Sequence, residues 1–192
     1  MSRELLEVRY LEKSFDGIKA LANFSCLLGK SEILGLIGPN GAGKTTLLNV
    51  ISGFVVPENG KAMFQGMNLL GVSPHKIAMT GIARTFQNLR LIRHLSVLDN
   101  VALPLRENTT LPPDVIIDIA RVKLDMVGLL DAANLLPSNL SGGMRKRAAI
   151  ARAIALDPDV VFLDEPSAGL DPITAAEIDN VIKKLNSVFG IT

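Results

Sequence analysis

The chain has a single cysteine, Cys26, so no disulfide can form within it and a reducing compartment is expected. It has no tryptophan and one tyrosine, Tyr10, which leaves little from which to build an aromatic platform for single-stranded nucleic acid. An excess of charge of one sign is missing as well. Twenty Lys and Arg against 19 Asp and Glu give a net +1, and without a basic excess nucleic acid is not expected as a partner. Long apolar runs are absent too: residues 33–37 and 160–163 fall far short of the ~20 residues that span a bilayer. The first eight residues carry Arg3, Glu4 and Glu7 and lack the apolar core of a signal peptide, so the chain is expected in the cytoplasm. Neither an internal repeat nor a low-complexity segment is found. His75 and His94 each stand alone in a polar stretch, which favours solvated surface residues over metal ligands.

The 192 residues suffice for one α/β domain with a sizeable core. Short β-branched runs alternate with segments of helical period, the pattern of a parallel sheet with helices packed on it. Residues 6–11 and 24–28 read as strands of an antiparallel flap, 32–37 as a buried strand, and 43–51 as a helix ended by Gly53. A short strand is expected at 63–65, after the turn Pro57-Glu58-Asn59-Gly60. From 74 to 140 the chain reads as mostly helical, with breaks at Pro104, at Pro112-Pro113 and at Pro137. An amphipathic helix is expected over 144–156, starting from Ser141-Gly142-Gly143, and a second buried parallel strand over 160–163. Ile178, Val181, Ile182, Leu185, Val188 and Phe189 then share one helical face, with Gly190 as a natural C-cap.

Gly38-Pro39-Asn40-Gly41-Ala42-Gly43-Lys44-Thr45, followed by Thr46, fits the P-loop pattern between a strand and a helix start. Glycines let successive amides turn inward around phosphate oxygens, and the helix N-terminus adds its partial positive charge. Lys44 is expected on the β- and γ-phosphates and Thr45 on Mg²⁺. A Gly-rich surface turn before an ordinary helix is the alternative. Val160-Val161-Phe162-Leu163-Asp164-Glu165 carries two carboxylates to a strand end, where ligands of open α/β sheets bind. Asp164 would hold Mg²⁺ and Glu165 would orient the attacking water, although an acidic pair after a strand also suits a helix N-cap. Leu140-Ser141-Gly142-Gly143-Met144 offers a hydroxyl and glycine amides at a helix start, a second anion site that points to a partner chain. The alternative there is an N-cap with a solvated basic face at Arg145-Lys146-Arg147.

The order of P-loop, Thr85-Phe86-Gln87-Asn88, LSGG, LDEP and Ser167-Ala168-Gly169-Leu170-Asp171 resembles the nucleotide-binding subunits of ABC transporters over essentially the whole chain. The resemblance implies one ABC ATP-binding domain of P-loop α/β fold over 1–192. Residues 1–86 and 144–192 would form a RecA-like core with its β flap, and 87–143 a helical subdomain carrying the signature motif. It implies an ATPase using ATP and Mg²⁺, catalysis by Lys44, Gln87 and Glu165, and Mg²⁺ ligation by Thr45, Gln87 and Asp164. Ser141, Gly142 and Gly143 would clamp the γ-phosphate held by the opposite protomer of a head-to-tail homodimer or paired ABC subunit, and Asp171 would contact that partner. Phe15 stands where the family stacks an aromatic ring on adenine. A transmembrane permease is the implied partner, with the chain peripheral on the inner face of the membrane. Met144, where the family often has Gln, and Ser31, where it commonly has Gly, are departures that remove no phosphate ligand.

The family's next strand and its switch histidine would lie beyond Thr192, so the resemblance implies a partial sequence. A nucleotide-binding module without turnover is therefore the alternative function. A soluble ABC protein of translation or DNA repair is disfavoured, since it would carry two cassettes or a long coiled coil. Up to about Leu95 the chain looks like ATPases of branched-chain amino-acid importers. From about Val97 it looks like ATPases of Mce-type phospholipid transporters, which leaves cargo open between the two.

Overall fold

The computed structural model describes residues 4–85 and 91–192. They group by contact into two compact units, Met1–Ile82 with Gly190–Thr192, and Ala83–Phe189.

In the first unit, β1 (Glu4–Phe15) and β2 (Ile18–Gly29) form the expected antiparallel flap. Asp16 and Gly17 join them at φ 49° and 82°, left-handed values whose twist suits a two-residue hairpin. β3 (Asn59–Phe64) and β4 (Met67–Asn68) extend the sheet in the order β2-β1-β3-β4. A register shift between Val8 and Leu11 brackets Tyr10 at φ 53°, the mark of a bulge. Leu5, Leu6, Val8, Leu11, Ala62 and Phe64 form the sheet's core. The helix expected over 43–51 is α1 (Lys44–Ile51), which buries Leu47, Val50 and Ile51. α2 (Pro74–Ala78) is a short turn of helix beyond it.

Residues 32–37 overturn one expectation: they form no strand, and Ile33, Leu34 and Ile37 are all exposed, Ile37 almost completely at 96%. Their composition is that of a buried strand, but a strand exists only where a neighbour takes up its amides and carbonyls. Among the described residues none does. Ser31, which precedes this segment, is at φ 55°, and hydrogen bonds join its amide to Thr192 Oγ1 and its hydroxyl to Gly190 O.

β5 (Ile82–Arg84), of which Ala83 and Arg84 belong to the second unit, and β6 (Val160–Phe162) make a two-stranded sheet that Thr85 N–H extends by donating to Phe162 O at 2.9 Å. The same unit holds α3 (Val97–Asn108), α4 (Pro113–Met126), α5 (Gly142–Ala153) and α6 (Pro172–Phe189), with α3, α4 and α5 packed on one another and α6 on α5. Val97, Val101, Leu105, Ala120, Leu124, Ala148, Ala151 and Ile154 are buried at 3% exposure or less. Fully burying one of the larger of these side chains contributes about 1.5–3 kcal/mol.

Pro104 was expected to break the chain, yet it lies inside α3. Proline removes one intrahelical hydrogen bond, at a cost of ~3 kcal/mol or more, and the buried stripe of Val97, Val101 and Leu105 offsets that cost. The fully buried Asn100 secures the start of α3, donating to Ile92 O, Leu95 O and Ser96 O and accepting from Ile92 N–H. The other expected breaks occur where proline sits at an element start, at Pro112, Pro113 and Pro137. On α6 only Ile178 and Leu185 are buried, and Val188 and Phe189 face solvent, so the apolar face is wider than the surface that covers it.

Candidate functional site

The phosphate loop is shaped by Gly43. It is at φ 87° immediately before α1, and a β-carbon added there would stand 2.1 Å from Ala20 O. Only glycine combines that conformation with that approach. Gly41 adopts φ 84° in open space, and Ala42 N–H donates to Pro39 O at 3.2 Å. Lys44, Thr45 and Thr46 then occupy the first turn of α1, where an α-helix has no acceptor for its own amides. The Lys44 ammonium donates to Gly38 O at 2.7 Å and Pro39 O at 2.8 Å, so it is already turned toward the loop it closes. Amides, a helix N-terminus and a cation converge on one loop, an arrangement fitted to a polyphosphate.

In the second unit, β6 delivers Asp164 and Glu165 just beyond its last residue. Asp164 Oδ2 accepts from Arg84 Nη2 at 3.0 Å, and the two side chains are only 9% and 6% exposed. This is a buried ion pair that the sequence reading missed. The only signal for it was a charged residue at the end of the otherwise apolar β5. A carboxylate and a threonine hydroxyl are the hard oxygen donors that Mg²⁺ prefers. The residue types therefore fit that ion, although no cluster of three His, Cys, Asp or Glu exists among the described residues. Glu165 has φ 51°, a left-handed value uncommon for a residue with a side chain.

Ser141 caps α5 and accepts from Met144 N–H at 3.2 Å. The glycines after it are packed tightly against the chain that follows β6. A β-carbon at Gly142 would be 3.2 Å from Leu170 Cδ2, and one at Gly143 2.3 Å from Thr174 Cγ2. One turn further, the Lys146 ammonium donates to Glu165 O at 3.0 Å and Ala168 O at 2.7 Å. Its burial pushes its pKa below the usual lysine value, and the Glu165 charge partly opposes that shift. Arg145 donates to Leu140 O at 2.6 Å and Arg147 to Gly128 O at 3.5 Å. Each side chain of the basic run reaches a backbone carbonyl, with Arg145 exposed and Lys146 and Arg147 half-buried.

Asp171 caps α6, accepting from Ile173 N–H and Thr174 N–H on Oδ1 and from the Thr174 hydroxyl on Oδ2 at 2.6 Å. The Thr174 hydrogen bonds hold its carboxyl below the usual aspartate value. Phe15, at the end of β1, is half-exposed, with the Lys13 ammonium 5.3 Å from its ring centroid. Gln87 lies outside the described residues. No helix among those described is long and apolar enough to cross a membrane.

A model of the family described as ABC transporter matches residues 21–168. The chain is 42% identical to the intermembrane phospholipid transport system ATP-binding protein MlaF of Haemophilus influenzae, over all of this chain and 74% of that protein. To MlaF of Escherichia coli it is 44% identical over 88% of this chain and 64% of that one. The high-affinity branched-chain amino acid transport ATP-binding protein LivG of Escherichia coli is 37% identical over the whole chain and 81% of its own length. Among solved structures, the ADP conformation of an ATP-binding cassette of an ABC transporter superposes with a TM-score of 0.89 at 30% identity, covering 100% of this chain and 80% of that one. A dimeric post-hydrolysis cassette bound to ADP and Pi gives 0.85 at 30%, covering 97% and 85%.

Proposed function

The chain belongs to the ABC transporter family as its ATP-binding, ATP-hydrolysing subunit, and from that premise we propose a role for each site residue. The observation that carries the reading is the left-handed Gly43 leading directly into Lys44 and the first turn of α1. Residues 38–46 hold the phosphates. Lys44 exchanges the carbonyls of Gly38 and Pro39 for the β- and γ-phosphate oxygens, a stronger charge-assisted contact. Phe15 offers its ring face to adenine. Thr45, Asp164 and Gln87 are the residues that would hold Mg²⁺, and the ion would neutralise charge on the phosphoryl oxygens. Glu165 orients and polarises the attacking water for in-line displacement.

Ser141, Gly142 and Gly143 meet the γ-phosphate held by a second subunit in a head-to-tail dimer, a homodimer or a pair with another ABC subunit, and Asp171 lies at that contact. That a similar solved cassette is dimeric supports pairing of two such chains. Turnover drives a separate membrane permease from the inner face of the membrane. Phospholipid is the proposed cargo, because identity to the lipid-system relatives exceeds that to the amino-acid relatives, at 42–44% against 37%.

Titration calorimetry tests the ATP site: Lys44→Ala is expected to abolish ATP binding, and unchanged affinity would overturn the assignment. In the full-length protein Glu165→Gln is expected to bind ATP and accumulate as an ATP-bound dimer, which a further Ser141→Arg change disperses. Persistence of that dimer in the double variant would refute the shared site. Mass spectrometry of small molecules copurified with the permease complex tests the cargo, with a branched-chain amino acid in place of phospholipid as the contrary outcome.

A further inference from the structure

The geometry points to Lys146 as a positioning residue for hydrolysis, one that fixes the backbone of Glu165 to the helix carrying the signature glycines. The inference rests on the ATPase reading above and concerns a residue to which that reading gives no role.

Three observations support it. Glu165 is held at φ 51°, a left-handed conformation that costs a residue with a side chain on the order of 1–3 kcal/mol and persists only where its surroundings enforce it. Lys146 contributes to that enforcement: its ammonium bridges Glu165 O at 3.0 Å and Ala168 O at 2.7 Å. The same Glu165 carbonyl accepts from Ala168 N–H at 3.3 Å, closing the turn that Lys146 spans. Finally, Gly142 and Lys146 are four residues apart on α5 and so lie on one face of it. Gly142 and Gly143 approach Leu170 and Thr174 closely at one end of this face, and Lys146 grips Glu165 and Ala168 one turn later.

The segment 165–174 is therefore fastened to α5 at two points, one by close packing and one by a cation. Small displacements of a catalytic group cost rate far more than binding. Lys146 meets the carbonyls of Glu165 and Ala168, so it acts through the place it gives to Glu165. Its effect belongs in kcat and leaves ATP affinity alone.

The test measures ATP affinity by calorimetry and steady-state turnover, with a melting curve for each variant, in the full-length protein. Lys146→Met, which keeps the stem and removes the donors, is expected to lower kcat about tenfold with the ATP Kd within twofold. Lys146→Arg, which restores a cation able to bridge two carbonyls, should recover most of that loss. Lys146→Gln, whose shorter side chain reaches one carbonyl, should fall between, and it replaces Lys146→Met if that variant melts without cooperativity. Wild-type turnover in Lys146→Met or Lys146→Gln overturns the inference, as does an equal loss in Lys146→Arg and Lys146→Met. The underlying reading fails separately, if Lys44→Ala still binds ATP.

Discussion

Two glycines of the phosphate loop separate what a single residue can tolerate. Gly43 and Gly41 are both left-handed, but an added β-carbon meets Ala20 O at 2.1 Å in the first case and nothing within 4 Å in the second. Gly43→Ala should therefore lower the melting temperature clearly more than Gly41→Ala, since it adds a backbone clash to the same conformational cost. Equal shifts would show that the loop gives way freely. At Arg84 the argument concerns charge. Removing one partner of a buried pair strands the other, typically at a cost of about 3–5 kcal/mol. Arg84→Met should be destabilising on that scale, and adding Asp164→Asn should recover part of the loss. A double-mutant cycle by urea denaturation reads the coupling, and strict additivity would mean that the pair contributes nothing.

Among the elements, α3 shows how a helix start is secured against its own proline. Ser96 accepts from Asp99 N–H at 3.0 Å and donates to Asp99 Oδ2 at 2.6 Å, while Arg106 donates to the other carboxylate oxygen. Ser96→Ala should cost about 1 kcal/mol, the usual effect of losing such a cap. The Ser96 hydrogen bond, followed by Arg106, holds the Asp99 carboxyl below its ordinary value. A depressed folded pKa contributes stability above the unfolded value of about 3.9, and that contribution is lost as pH falls through the folded value. The stability gap between wild type and Asp99→Asn, measured by denaturation, should accordingly narrow from neutral pH to about pH 3. A gap that widens on acidification would reverse the assignment. Helix starts of this kind were legible in advance: Ser141 before two glycines and an apolar-periodic run marks α5 because the cap and its target are three residues apart. Pro104 was misread because its acceptability depends on Val97, Val101 and Leu105 being covered by other helices.

In the whole molecule, the contrast lies between segments whose backbone finds a partner and one whose backbone does not. Amides in 33–37 should exchange with solvent far faster than those of Leu6, Val8 and Ala62 within the paired sheet. Protection of 33–37 equal to the sheet's would mean that the segment is paired in solution. The sequence by itself determined the motifs, the flap hairpin and the cap of α5. All of these depend on residues within a few positions of one another. Only the tertiary structure decided that 32–37 stays unpaired, that Arg84 reaches across 80 positions to Asp164, and that Lys146 turns inward to the carbonyls of Glu165 and Ala168. Periodicity reports which face a segment would bury. Whether another strand or a counter-charge arrives at that face depends on chain distant in sequence, which no local pattern encodes.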